Sequence, residues 1–401
     1  MWDDDGGRRG RRGLAVPLKY LFFTNECVGL GHLRRALTLA GAVTERDEAA
    51  TALIVTGAPI ELAHPLPARV DTIKLPLLAR DSAGEVRAGR LGLSLSDTRT
   101  VRSHVALAAA QSFRPEVAVV DKAPLGLAGE LAPALEWLHG AGTKVVLGLR
   151  DIADAPARVR REWSPRVRAQ LEELYDAVLV YGPDGKRHDA LACLGLDTEL
   201  PLHHVGYVAS RPTERPADLP DEYVLVTAGG GADGARLMAT FLDALELEPL
   251  PVPGLVVTGP LMPDADVRAL RARAASLNVV VETFRPGLDG VMAGSRGVVA
   301  MAGYNTVSEL LRTGRPALLV PRTEPSHEQA LRAELLREAG RVQVLYPHEL
   351  EPHRLRSELT RLLATPLQQP RADDGGAARA ADVLAELAAA ADGYGVLEAA
   401  L

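Results

Sequence analysis

Three stretches of this chain carry residue types whose spacing can do chemistry. The first is Val28-Gly29-Leu30-Gly31-His32-Leu33-Arg34-Arg35, where a histidine follows two glycines. An imidazole near its ordinary pKa can take a proton from an attacking hydroxyl. The second is Thr227-Ala228-Gly229-Gly230-Gly231-Ala232-Asp233-Gly234. Glycines without Cβ atoms let backbone N–H groups come close to a phosphate, and a helix beginning there adds its positive end. The third runs from Val298 to Arg322 and holds Gly303, Asn305, Thr306 and Glu309. Each has a plain structural reading as well. A lone histidine is more often a packing residue, a glycine loop can be a tight turn, and Thr306 with Glu309 fits a helix capping box.

The elements that must position these residues alternate. Strands are expected at 20–24, 52–55, 70–75, 117–121, 145–149 and 177–181. Amphipathic helices fall between them at 32–43, 97–112 and up to about 175, with 79–96 expected as a loop. A Pro-rich polar stretch, Ser210 to Pro220, interrupts the pattern. The alternation then restarts, with strands at 223–227, 255–258, 279–282, 298–301 and 317–320. Helices are expected at 233–245, 264–275, 306–313 and 326–338, and an Ala-rich helical end over 374–401. Strands separated by helices predict parallel βαβ units. Two such series in 401 residues predict two α/β, Rossmann-like domains. The divisions are a flexible tail 1–13, a first domain 14–208, a linker 209–221, a second domain 222–370 and a helical segment 371–401. Open α/β sheets take ligands beyond the carboxyl ends of their strands, so two facing domains would line one cleft.

Composition sets outer limits. Hydrophobic residues are 47% and charged residues 24%, the balance of a folded globular chain. The net charge of -7 excludes a dedicated nucleic-acid binder. Two cysteines, Cys27 and Cys193, show no zinc spacing, and a reducing, cytoplasmic setting is expected. No apolar run reaches the roughly 18 residues of a membrane span. Asp264-Ala265-Asp266 lies at a helix start, where acidic residues are ordinary, and His203-His204 has no further ligands. No metal and no cofactor are expected. The segment Arg158 to Arg168 is basic around Trp163, either a solvated helix face or a contact with anionic lipid.

The string 298–340 resembles the donor-binding region of MurG-like GT-B glycosyltransferases, with a family 28-type C-terminal domain. It has the strand, the Ala-Gly turn, a helix with Thr306 and Glu309, Gly314-Arg315-Pro316, and Glu328-Gln329-Ala330. The family often has His where Glu328 stands and Asn where Arg332 stands. The resemblance implies a GT-B fold, with both domains facing an interdomain cleft. It implies that Gly229, Gly230 and Gly231 face a diphosphate, with Gly303, Asn305 and Thr306 beside it. Glu309 would accept from ribose hydroxyls and Gln329 would contact the donor sugar. The GxGH-type loop would make His32 the catalytic base, oriented by Asp121 or Asp151 at strand ends. Gly29, Gly31, Arg34 and Arg150 would lie on the phosphate or acceptor side. The partners implied are a nucleotide-sugar donor, UDP-sugar favoured, and a small-molecule, glycan or lipid-linked acceptor, with peripheral contact at the inner membrane face. No Glu pair at the eight-residue offset of many retaining enzymes accompanies Glu309, which favours inversion. A nucleotide-sugar hydrolase on a similar scaffold also opens with Gly-x-Gly-His-x-x-Arg, and a non-catalytic binding protein is the alternative from another class.

Overall fold

A computed structural model describes residues 17–24, 30–59, 65–80, 85–152, 159, 163–183, 198–324, 326–370 and 375–398. The tail 1–13, Gly29 and both cysteines lie outside these residues.

The first sheet begins with β1 (Lys19–Phe23), followed by α1 (Gly31–Arg46), β2 (Thr51–Thr56) and β3 (Val70–Lys74). A short hairpin, β4 (Leu78–Arg80) and β5 (Val86–Ala88), leads into α2 (Leu95–Phe113). Then come β6 (Val117–Asp121), α3 (Ala132–Gly140), β7 (Lys144–Arg150), α4 (Pro165–Leu174), β8 (Ala177–Tyr181) and β9 (Leu202–His204). The strand order is β3-β2-β1-β6-β7-β8-β9, every pair parallel. Side chains alternate across it. Tyr20 and Phe22 join the core on one face, and Leu21 and Phe23 the core on the other. That is the period-2 geometry of a strand buried on both sides.

The second sheet repeats the plan. It runs through β10 (Val224–Thr227), α5 (Ala235–Leu247), β11 (Gly254–Val257), α6 (Asp264–Ala274), β12 (Val279–Glu282), α7 (Leu288–Gly294) and β13 (Gly297–Ala300). It continues through α8 (Tyr304–Thr313), β14 (Ala317–Leu319), α9 (Glu328–Glu338), β15 (Gln343–Val344) and α10 (Pro352–Ala364). The order is β12-β11-β10-β13-β14-β15, again parallel. The final helix, α11 (Gly376–Glu398), returns to the first domain. Ala380, Ala381, Leu384 and Ala388 pack into the same core as Leu37, Ala40 and Val43 of α1.

Each sheet reverses direction once, between β1 and β6 and between β10 and β13. The crevice at such a reversal is where an open α/β sheet holds its ligand. The Pro-rich segment between the sheets is fastened to the second domain. Asp289 accepts from the Thr213 backbone N–H at 2.8 Å and from its hydroxyl at 2.7 Å, and Arg285 holds Asp218 through two bonds of 3.0 Å.

Two expectations need correction. The expected loop 79–96 carries the β4–β5 hairpin, whose three-residue strands pair only with each other and are too short to show a period. The expected capping box at Thr306 does not form. The N-cap of α8 is Gly303, without a side-chain cap, so the helix begins two residues earlier.

Candidate active site

His32 is the second residue of α1, just past the reversal point of the first sheet. Its Nδ1 lies 2.9 Å from Oδ2 of Asp121, the last residue of β6 on the other side of that crevice. Arg35, one turn along α1, donates to the same oxygen at 2.5 Å. The Arg35 Nη2 also lies 3.3 Å from the imidazole Nδ1, but a guanidinium only donates. An ionised carboxylate only accepts, so the contact with Asp121 puts the proton on Nδ1 and the lone pair on Nε2, and the Arg35 contact is then no hydrogen bond. Burial lowers the His32 pKa, against the upward pull of Asp121, so the ring is neutral at neutral pH. Burial pushes the Asp121 carboxyl up, but Arg35 and His32 outweigh it and hold the group well below the ordinary carboxylate range. The next residue, Lys122, has φ +71°, a left-handed conformation that non-glycine residues adopt at a cost.

In the second domain the glycine loop leaves β10. Gly229 and Gly231 have φ +64° and +92°. A Cβ at Gly231 would collide with the Thr258 carbonyl oxygen and reach 2.9 Å from that of Gly259, so this glycine serves a close approach of backbone to backbone. Gly230 accepts from Leu261 N–H at 2.9 Å. The N–H groups of Gly229 and Gly231 turn to the Thr227 hydroxyl and the Ala228 carbonyl at 3.3 Å, both weak bonds. The loop then enters α5, which has no side-chain cap and no acidic residue in its first turn.

The start of α8 stands between the two halves. Thr306 is buried, and a Cβ on Gly229 would lie 3.5 Å from its hydroxyl. Asn305 Nδ2 donates to the Gly31 carbonyl across the domain boundary at 3.1 Å. Like α1, α8 has neither a side-chain cap nor an acidic residue in its first turn, so two uncapped positive helix ends meet here. One turn further, Glu309 is 1% exposed and ion-pairs with Arg34 of α1. Burial pushes the Glu309 carboxyl up despite Arg34. Gln329 accepts from Arg322 N–H at 3.1 Å, and Arg322 pairs with Asp233 of the glycine loop at 3.1 Å.

The structure thus brings His32 to Asp121, Gly31 to Asn305, and Gly229 to Thr306. Arg34 and Arg150, expected on the phosphate or acceptor side, differ. Their guanidinium groups sit on carboxylates of the opposite domain, Arg34 on Glu309 and Arg150 on Glu328 at 2.5 Å. Trp163 also differs from the lipid-contact reading, because it is 5% exposed within the first domain's core. Asp264 and Asp266 occupy the first turn of α6, complementing its dipole rather than capping it.

Residue-by-residue reading missed a buried interdomain cluster. Arg332 of α9 holds Asp151 through Nη2 at 2.8 Å and Nε at 3.2 Å, Glu328 at 2.8 Å, and the Ala302 carbonyl at 3.0 Å. Its guanidinium carbon lies 5.6 Å from the Tyr304 ring centre, and that of Arg35 lies 5.2 Å from the same ring. The Tyr304 hydroxyl accepts from Val208 N–H at 2.9 Å. One tyrosine of the second domain therefore contacts the first domain near its start, at Arg35, and at its end, at Val208. The available signal was the pair of family departures, Glu328 and Arg332. Phe284, 46% exposed just past β12, is a further aromatic beyond the carboxyl ends of the second sheet. Among the described residues no group of three or more His, Cys, Asp or Glu side chains converges on a point.

Two parallel, doubly wound domains with their reversal points turned toward each other define the GT-B architecture. Residues 223–387 match the glycosyltransferase family 28 C-terminal domain. The UDP-N-acetylglucosamine–N-acetylmuramyl-(pentapeptide) pyrophosphoryl-undecaprenol N-acetylglucosamine transferase of Methylobacterium radiotolerans is 32% identical over 194 residues, 43% of this chain and 51% of that protein. The enzyme of the same name from Rhodopseudomonas palustris is 32% identical over 219 residues, 53% of this chain and 54% of that protein. The chain thus spans about half the length of the curated relatives it matches. Among solved structures, Acinetobacter baumannii MurG superposes with TM-score 0.59 at 17% identity, covering 92% of this chain and 100% of that one. The calicheamicin glycosyltransferase CalG4 gives TM-score 0.61 at 19% identity, covering 92% and 98%.

Proposed function

We propose that this protein is a metal-independent, inverting glycosyltransferase that moves a sugar from a nucleoside diphosphate, UDP favoured, to a hydroxyl of its acceptor. The observation that carries the reading is the His32–Asp121 pair at one reversal point, placed across the domain boundary from Glu309 and the glycine loop at the other. His32 Nε2 takes the acceptor's hydroxyl proton as that oxygen bonds to the anomeric carbon. Asp121 fixes the tautomer and steadies the imidazolium that forms. The bond from the anomeric carbon to the diphosphate oxygen breaks on the opposite face, which inverts the centre. The leaving diphosphate takes the electron pair beside the uncapped ends of α5 and α8, whose dipoles favour the added negative charge. Glu309 accepts from the ribose hydroxyls, a task for which two carboxylate oxygens are suited. Gln329 faces the donor sugar, and Gly31 with the first turn of α1 lies on the acceptor side.

Among the described residues no helix is long and apolar enough to cross a membrane. The lipid-linked acceptor in the relatives' names makes such an acceptor, met peripherally at a membrane face, the first to try. The test is a product assay by mass spectrometry with a panel of nucleotide sugars and acceptors, with and without EDTA. Sugar transfer that survives EDTA and is lost in His32→Ala, with nucleotide binding retained, is the expected result. Release of free sugar without transfer to any acceptor would replace the transferase by a hydrolase. Full activity in His32→Ala would remove the base.

A further inference from the structure

Three parts of the chain meet at the Glu309 carboxylate. Glu309 belongs to α8 of the second domain, Arg34 to α1 of the first, and Ser210, whose hydroxyl lies 3.5 Å from Oε1, to the connecting segment. Oε1 takes both partners. Oε2 is buried and, among the described residues, has no partner. An ionised carboxylate with one buried, unpartnered oxygen is unfavourable. The two members of the pair are also unequally placed. The Glu309 side chain is 2% exposed and fixed in the cleft wall, whereas that of Arg34 is 20% exposed. The guanidinium can withdraw into water, and the carboxylate cannot.

We infer that Arg34 is a displaceable occupant of the nucleoside position: vicinal ribose hydroxyls replace its guanidinium on Glu309, and the exchange unlatches α1 from α8. The inference rests on the reading of Glu309 given above. A vicinal diol supplies two O–H donors, so it occupies the oxygen that Arg34 leaves and satisfies the one that is idle. The Arg332–Asp151 pair, 1% exposed on both sides, stays in place and keeps the domains together during the exchange. Donor entry and interdomain contact are then thermodynamically linked, and the apparent affinity for nucleoside is reduced by the fraction of molecules in which Arg34 is seated.

The decisive variant is Arg34→Met, which keeps the aliphatic stem and removes the charge. The probe is uridine, whose lack of phosphate keeps any direct anion contact of Arg34 out of the measurement. By titration calorimetry, uridine is expected to bind the variant about tenfold more tightly than the wild type. The free variant is expected to melt lower than the wild type, and saturating uridine to close that gap. Arg34→Lys, a point charge that makes no planar fork, is expected to shift affinity in the same direction, and it serves if the methionine variant does not fold. Unchanged or weaker uridine binding, or a melting gap that uridine leaves intact, overturns the exchange. If Glu309→Gln also loses UDP binding, the donor site stands and the exchange alone is refuted. A wild type that binds neither uridine nor UDP sinks the donor-site reading and the exchange with it.

Discussion

Replacing Glu328 by Gln keeps the shape of the side chain and removes its charge. In the native cluster Glu328 is 4% exposed, accepts from Arg332 at 2.8 Å and pairs with Arg150 at 2.5 Å. Burial pushes its carboxyl up, but Arg150, Arg332 and Lys122 outweigh that and hold it at about 2, against an ordinary 4.5. At 1.36 kcal/mol per tenfold, that difference corresponds to roughly 3 kcal/mol of folded-state stabilisation. Breaking a buried ion pair by removing one partner costs about 3–5 kcal/mol, so the two routes agree. At about 2–4 °C per kcal/mol for a domain of this size, Glu328→Gln should melt roughly 6–12 °C lower at neutral pH. The sign with pH follows from the direction of the shift. A carboxyl whose folded pKa is depressed contributes fully above its unfolded value and loses that contribution as pH falls through the folded value. The gap between wild type and variant should be widest above 4.5 and should close as pH descends toward about 2. Scanning calorimetry from neutral pH downward, with the transitions of the two domains resolved separately, measures it. A gap under about 1 kcal/mol at neutral pH, or one that stays constant with pH, would show that the cluster does not clamp the domains electrostatically.

Three other outcomes follow from the site. Asp121→Asn should leave UDP affinity unchanged and lower turnover by about 10²–10⁴, because His32 loses the carboxylate that fixes its tautomer; a drop below threefold would deny the pair its role. Because burial lowers the His32 pKa, the wild-type rate should be flat at neutral pH and fall only below the ordinary 6.5, and an acid limb above 6.5 would contradict the neutral ring. Gly231→Ala should lower the second domain's melting point by about 1–3 kcal/mol equivalent, since φ +92° and the Thr258 carbonyl both oppose a Cβ. An unaltered melting point would mean that the loop is free to rearrange.

Buried parallel strands were the most legible part of the sequence. Val117–Asp121 and Ala177–Tyr181 stand where the residues alone put them, because short apolar runs between turn residues have few other uses. The ordinary helices α3 and α10 escaped, as did several short or atypical elements. β9 and β15 have three and two residues, and α7 is a seven-residue helix with three glycines in or beside it. Asp121 near His32 could be expected, since both flank one reversal point. The partners of Arg34 and Arg150 could not. A charged residue at a strand end is recognisable as facing the cleft, but Arg34 and Glu309 are 275 positions apart and in different domains. Nothing local in either segment records how the two domains dock. The same holds for Arg332, whose burial is decided by Asp151, 181 positions earlier.

The return of α11 to α1 has a consequence for how the molecule is made. Arg46 reaches Asp382 at 2.7 Å, Arg379 donates to the Val205 carbonyl at 2.9 Å, and Leu384 fills the core behind β1. The first domain therefore lacks one wall until α11 has left the ribosome. A nascent chain stopped at the Pro-rich linker would expose the apolar flank of α1 to solvent and to chaperones. The carboxyl-terminal unit, whose strands and helices lie within one continuous span, has no such wait. Translation order and order of completion are thus reversed for these two domains, the earlier being sealed after the later.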